Sequence, residues 1–340
     1  MKKYLAIILC LVLALSLFGC GGSDNGGGGT ETSEAEPVVI TLGHALSDGT
    51  PASNGINAFA ERVAEETEGR VSFDIYPNSQ LGNETEMIEQ MQLGQLDAGA
   101  IMVGTFQTID KRFAIEDLPY AWNGIESARA AYDGAWGDYL ADMIADQGMT
   151  QIAYVEWGFR HMTSNVKPIR VPEDMKGLNI RISPAALRED AFKQVGAIPT
   201  QMSFSELYSA LQTGVVQAQE NPLPTIVAAG FAEVQKYLSL TGHFYNTVMF
   251  VVNTDVWNKI SADDQAIILA AAADMEKDVR VNNDASVEAN LQALRDAGME
   301  INDDVDTAAF REAMLPVYDK WENEVFGTEL MDVYRAASGW

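Results

Sequence analysis

From Val38 onward the chain alternates repeatedly between short β-branched runs and stretches with helical periodicity. That alternation restricts it to folds in which helices cover the faces of a sheet. Val38 to Gly43 reads as a strand, and Ile56, Phe59, Ala60 and Val63 follow at the three- and four-residue spacing of an amphipathic helix. Val71 to Tyr76 alternates with period two and stops at Pro77. Asn83, with Glu86 three residues on, predicts a capped helix that turns Met87, Ile88 and Met91 to the core. Asp97 to Val103 is the next buried-type strand.

The middle of the chain keeps this rhythm. Gln151 to Trp157 reads as a strand, and Leu178-Asn179-Ile180-Arg181-Ile182 alternates strictly, which sets Arg181 on the face opposite its apolar neighbours. Ser203 and Glu206 form a capping-box pattern, Gly214 ends the helix they open, and Val215 to Ala218 reads as a strand closed by Asn221-Pro222. Thr247 to Val252 is the last strong strand. Between Ala262 and Ala297 there is neither proline nor glycine. Two readings stay open there: one helix of roughly 35 residues, about 50 Å long and able to bridge two lobes, or two helices broken near Asn282-Asn283. A further amphipathic segment runs from Thr307 to Phe326.

The N-terminus has a separate task. Lys2 and Lys3 precede an apolar run from Leu5 to Leu17, too short to span a bilayer comfortably, as an export signal requires. The run ends in Leu17-Phe18-Gly19-Cys20, which resembles the bacterial lipobox although Phe18 departs from its small or β-branched preference. The resemblance implies cleavage before Cys20 and lipidation of its thiol, with the Gly-rich residues that follow as a flexible tether. The only other cysteine, Cys10, lies inside the signal, so the mature domain has no thiol for a disulfide, metal or nucleophile.

A formal charge of −27 is reached with 22 basic against 49 acidic residues. That balance disfavours nucleic acid and anionic lipid as partners, since both attract basic stretches. No GxGxxG, Walker A, GxSxG, HExxH or paired CxxC occurs, so common cofactor-dependent and nucleophilic mechanisms have no anchor in the sequence. His44, His161 and His243 are scattered, and isolated histidines more often satisfy local hydrogen bonds than bind zinc, so neither metal nor cofactor is expected.

Chemistry is concentrated where strands end, which is where open α/β sheets bind ligands. Arg160 follows the 151–157 strand, Arg181 closes 178–182 just before Ser183-Pro184, and Asn221 follows 215–218. A guanidinium at such a point suits a carboxylate held by two parallel bonds, or equally a neighbouring acid of the protein. Trp157 at a strand end fits packing and a ligand wall alike, with Gly158 leaving room for a close approach. Glu220 is expected to face a backbone donor or an arginine, not a ligand.

The segment from Pro199 to Leu223, centred on Gln219-Glu220-Asn221-Pro222, closely resembles the substrate-binding proteins of TRAP transporters, the DctP family. So do Tyr76 to Gly82, Lys176 to Arg181 and Glu233 to Leu238, and the similarity runs in order over about 38 to 330. The resemblance implies an α/β, two-lobe, periplasmic-binding-protein-like flytrap of type II with a long bridging helix, and no enzymatic activity. It implies capture of a small organic acid and delivery to the membrane subunits of an ion-gradient-driven TRAP permease. Arg181 matches the family's carboxylate clamp, Arg160 a second ligand-side arginine, Asn221 the asparagine that closes on the ligand, and Phe204 an aromatic wall. His44 and Trp157 fall beside the equivalent cleft.

The domain expectation is a signal over 1–19, the lipidated cysteine and tether over 20–37, lobe I over 38–157 with 246–285, and lobe II over 158–245 with 286–340. The expected location is extracytoplasmic and lipid-anchored. Two other functions are compatible with the same cleft: an acid-sensing lipoprotein that serves a signalling partner, and a surface enzyme acting on an organic acid.

Overall fold

The computed structural model describes residues 37–339; Cys20 and the export signal lie outside them. The order opens with β1 (Val38–His44), α1 (Pro51–Glu66), β2 (Val71–Tyr76), α2 (Glu84–Gln92) and β3 (Ala98–Met102). The predicted periodicities hold in this region. In α1, Ile56, Phe59, Ala60 and Val63 are buried, with Phe59 edge-on to Phe250. Asn83 and Glu86 form the predicted capping box of α2.

Two 3-10 helices, Val103–Thr108 and Lys111–Asp117, lead to α3 (Ile125–Tyr132), α4 (Ala135–Ala145) and β4 (Met149–Ser164). β4 runs well past the predicted end at Trp157 because Gly158 adopts φ +102° at a bulge where the register to its partner shifts. A positive φ is costly for any residue with a Cβ, and a bulge re-aims the strand beyond it. A Cβ on Gly158 would meet nothing within 4 Å, so what requires glycine here is the backbone conformation. Arg160 therefore lies within a strand.

The second half contains β5 (Asn179–Ile182), α5 (Ala186–Gln194), β6 (Ile198–Gln201), α6 (Phe204–Thr213), β7 (Ala218–Pro222), α7 (Leu223–Ala228), β8 (Tyr237–Ser239) and β9 (Tyr245–Asn253). β7 begins where the sequence reading ended its strand, so Asn221 lies inside the strand and not after it. Its polar run Gln219-Glu220-Asn221 is wholly buried, and buried polar groups are tolerated only with partners. Those partners come from β4 and α5. Ser203 caps α6 by position only: its hydroxyl meets the Glu206 carboxylate at 2.5 Å, and no side-chain cap bond forms.

The chain closes with α8 (Thr254–Trp257), α9 (Ala262–Asp296), β10 (Glu300–Asn302), α10 (Thr307–Trp321), a π-helical turn over 322–326 and α11 (Gly327–Ser338). α9 is one unbroken helix of 35 residues. Its Ile268, Met275 and Val279 pack in one core with Ile40 and Phe250, while Leu291 and Leu294 pack in another with Leu207 and Leu238. The asparagine that made a break plausible is held in place, because Asn283 Nδ2 donates to the Glu156 carbonyl and carboxylate, each at 3.1 Å. α1 lies close against α9 at Gly55, where any Cβ would stand 2.4 Å from Val279.

The strands order as β2-β1-β3-β9-β4-β7-β5-β6, with β8 and β10 branching from β4. β1, β2 and β3 are parallel, β9 and β4 run antiparallel to their neighbours, and β5 is parallel to β6 and β7. The two parallel groups are thus joined through β9 and β4, and their carboxyl ends are the natural edges of a ligand site. Among the described residues no helix is long and apolar enough to cross a membrane.

Candidate functional site

A cavity of about 350 Å³ lies where these edges meet. From the first group come Ala45 after β1, Glu84 at the start of α2, Met102 at the end of β3 and Thr105 after it. From the second come Trp157 and Arg160 on β4, Arg181 on β5, Asn221 on β7, and Ser203 and Phe204 at the start of α6. Five of the six cleft residues read from the sequence therefore share one cavity. His44 does not line it; it sits one residue before Ala45 with its side chain fully buried.

The two arginines differ in their partners. Arg160, 1% exposed, sends Nε and Nη2 to the Glu220 carboxylate and Nη2 also to Asn221 Oδ1 at 3.0 Å. Glu220 also meets Arg188 Nη1 at 3.3 Å, and His243 Nε2 lies 3.4 Å away. Arg188 is itself paired to Asp117 at 2.7 Å, bonds Asn246 Oδ1 at 2.8 Å, and stacks 4.9 Å over Phe244. Burial opposes ionisation of Glu220, but Arg160 and Arg188 outweigh it and hold the carboxyl far below the usual range. Glu220 thus faces arginines, as its sequence position predicted.

Arg181, 2% exposed, has no carboxylate partner among the described residues. Its Nε and Nη2 both donate to the Met202 carbonyl, at 3.0 and 2.8 Å, which fixes the plane of the guanidinium but leaves its charge unbalanced. Burial, partly offset by the more distant Glu220, pushes its pKa down to about 9. Among the described residues no atom bonds Nη1 of either cavity arginine, so both offer N–H groups to the cavity.

Around these cations, Trp157 Nε1 donates to Thr225 Oγ1 at 2.9 Å, and its ring centroid lies 5.6 Å from the Arg160 guanidinium carbon. Asn221 Nδ2 donates to Gln219 Oε1 at 2.6 Å, so its amide is held on both sides while it faces the cavity. Phe204 is half-buried and packs edge-on to Phe231. Burial lowers the pKa of His44 to about 4, against the opposing effects of Asp48 and the Leu46 backbone.

Sequence reading missed Glu84, Arg188 and Asp117. Glu84 was hidden inside the helix start that Asn83 marks, and Arg188 and Asp117 carry no local signal because they meet across 71 residues of chain. Glu84 accepts from Met102 N–H at 2.8 Å and Thr105 Oγ1 at 2.9 Å, and burial raises its pKa. Among the described residues no cluster of His, Cys, Asp and Glu has the makings of a metal site.

Comparison with known proteins places this geometry among relatives. The profile of bacterial extracellular solute-binding protein, family 7 (DctP), matches residues 42–324. A protein of Verminephrobacter eiseniae described as a solute-binding protein is 35% identical over 83% of this chain and 84% of its own. The C4-dicarboxylate-binding periplasmic protein DctP of Rhodobacter capsulatus is 32% identical over 89% of this chain and 92% of its own. A TRAP periplasmic solute-binding protein of Polaromonas sp. JS666, solved bound to D-erythronate, superposes with a TM-score of 0.84 at 32% identity, covering 88% of this chain and 98% of that one.

Proposed function

Because this chain belongs to the DctP family, family 7 of the bacterial extracellular solute-binding proteins, we propose that its cavity is the solute site and that Arg181 holds the solute's carboxylate. The protein has the α/β periplasmic-binding-protein fold of TRAP solute-binding proteins. It captures a small organic acid outside the cytoplasm for TRAP-type transport and is not an enzyme.

The observation that carries the Arg181 assignment is a buried guanidinium anchored only to a neutral carbonyl. Leaving a charge buried and unpaired is expensive, and a ligand carboxylate arriving at Nη1 would relieve that cost. Arg160 Nη1 and the Asn221 amide stand as further polar contacts, with Phe204 and Trp157 as walls. His44, behind Ala45, supports the wall and does not touch the solute.

A charge-assisted bond contributes roughly 1.5–3 kcal/mol net. Micromolar affinity needs about 8 kcal/mol, so the remainder comes from excluding water against the walls and from hydrogen bonds. That requirement fits closure of two lobes over the solute, one formed by 38–157 with 246–285 and the other by 158–245 with 286–340. In this division α11 is an arm of the second lobe that packs against α3, and just before α3 Asn123 Nδ2 donates to the carbonyl of Gly339, the residue after α11, at 2.9 Å. Cys20 is the proposed lipidation site, 20–37 the tether, and the membrane subunits of a TRAP permease the partner.

Titration calorimetry of Arg181→Lys against the best acid found by thermal-shift screening tests the reading. The ammonium lacks the planar fork, and affinity should fall by about 10- to 100-fold. Unchanged affinity would remove Arg181 from the clamp.

A further inference from the structure

The charges around the cavity constrain the solute beyond its being an acid. Among the described residues, Arg160 and Arg181 are the only cationic side chains that line the cavity. The charge of Arg160 is already met by Glu220, and behind it Arg188 is met by Asp117. One cation is left over, that of Arg181, and the further acids of the lining, Glu86 and Glu206, supply none to a second carboxylate.

The opposite wall is built for a different group. Glu84 faces the cavity from the first turn of α2, and each of its carboxylate oxygens accepts a single protein hydrogen bond, from Met102 N–H or Thr105 Oγ1. Each oxygen therefore keeps a lone pair for a ligand donor. The charges of Arg188 and Arg160 also act on Glu84 across the cavity wall, so it belongs to the same electrostatic cluster. With Glu84 neutral the cluster carries one excess positive charge; with Glu84 ionised it carries none. In either state it accommodates at most one further carboxylate, and a second would stand in the cavity without a cation.

We propose, on the footing of the carboxylate reading above, that the cavity selects small hydroxylated monocarboxylates: Arg181 takes the carboxylate, Glu84 accepts from a ligand hydroxyl, and dicarboxylates are rejected. The volume of about 350 Å³ agrees with a small solute, since ligand pockets run from about 300 to 1,000 Å³. A site built to hydrogen-bond a ligand hydroxyl rejects analogues that lack it far more strongly than an apolar pocket rejects a missing methylene. Glu84 is thus the specificity-determining residue, and Arg181 the residue that sets the requirement for an acid.

The test is titration calorimetry at pH 7.5 with a panel of four- to six-carbon aldonates, D-erythronate included, against succinate, fumarate and malate. The proposal expects the tightest binder to be an aldonate, at least 10-fold above any dicarboxylate. Glu84→Gln, which keeps an acceptor for Met102 N–H and can donate to Thr105 Oγ1, should narrow that ratio by about 10-fold. A dicarboxylate as the tightest binder, or an unchanged ratio in Glu84→Gln, overturns the proposal. If Glu84→Gln does not fold, the wild-type ratio decides alone. Arg181→Lys separates the two levels: dicarboxylates that win but lose affinity in Arg181→Lys refute only the selectivity, whereas acids that bind neither protein, or both equally, refute the carboxylate reading with it.

Discussion

Arg160 and Arg181 line one cavity, are almost equally buried and stand on neighbouring parts of one sheet, yet the protein treats their charges in opposite ways. Arg160 is neutralised internally by Glu220 within a network that also contains Arg188 and Asp117. Arg181 is oriented by a carbonyl and left without a counter-charge. The difference separates two tasks that the same residue type can perform. One guanidinium holds β4 to β7 beside the cavity; the other keeps its charge free of any carboxylate among the described residues, which is what the proposed clamp requires. His44 gives a third answer to burying a basic group, which is to stay deprotonated.

The largest expected effect tests the Arg160 side. Glu220→Gln leaves Arg160 and Arg188 sharing too little negative charge, and breaking a buried pair from one side costs about 3–5 kcal/mol. Urea denaturation should show that loss. A cost below about 1 kcal/mol would erase the contrast, because Arg160 would then be no more committed to the protein than Arg181. The complementary measurement is the melting of Arg181→Lys without ligand. With no protein counter-ion to lose, its stability should stay within about 1 kcal/mol of wild type while affinity falls.

His44 sharpens the comparison through pH. It is neutral when folded, with a pKa near 4, against about 6.5 in the unfolded chain. The unfolded state therefore binds more protons below pH 6.5, and stability is lost as pH falls from 6.5 toward 4. The contribution amounts to about 2 kcal/mol by pH 5. Melting curves between pH 7.5 and 5 should show the decline, and His44→Leu should flatten it by about that amount. An equally steep profile in the variant would assign the acid sensitivity to other groups, with His161 the first candidate because burial lowers its pKa to about 3.

How much of this the sequence announced depends on the range of the interactions. β1 to β3, the α2 cap and α9 follow from periodicity and capping residues, which are local. β7 was misplaced because its core residues are Gln219, Glu220 and Asn221, and only partners distant in the chain make a polar strand buriable. Resemblance named both cavity arginines, and they do meet. Their division of labour stayed hidden, since it depends on Asp117, Arg188 and the Met202 carbonyl converging from three separate segments. Glu84 was masked by the capping signal it adjoins.

The smallest effect concerns how each arginine is delivered. Arg181 sits on a regular strand in register with Thr200, whereas Arg160 follows a bulge whose Gly158 has φ +102°. An alanine at Gly158 meets no atom within 4 Å, so its cost is purely conformational, about 1–2 kcal/mol. If the bulge serves only to aim β4 at Glu220, Gly158→Ala should lower stability by that amount and change acid affinity by no more than a few-fold, because Arg181 is untouched. A loss of affinity as large as that of Arg181→Lys, at unchanged stability, would mean that Arg160 also reads the ligand's charge and that the two arginines share the clamp after all.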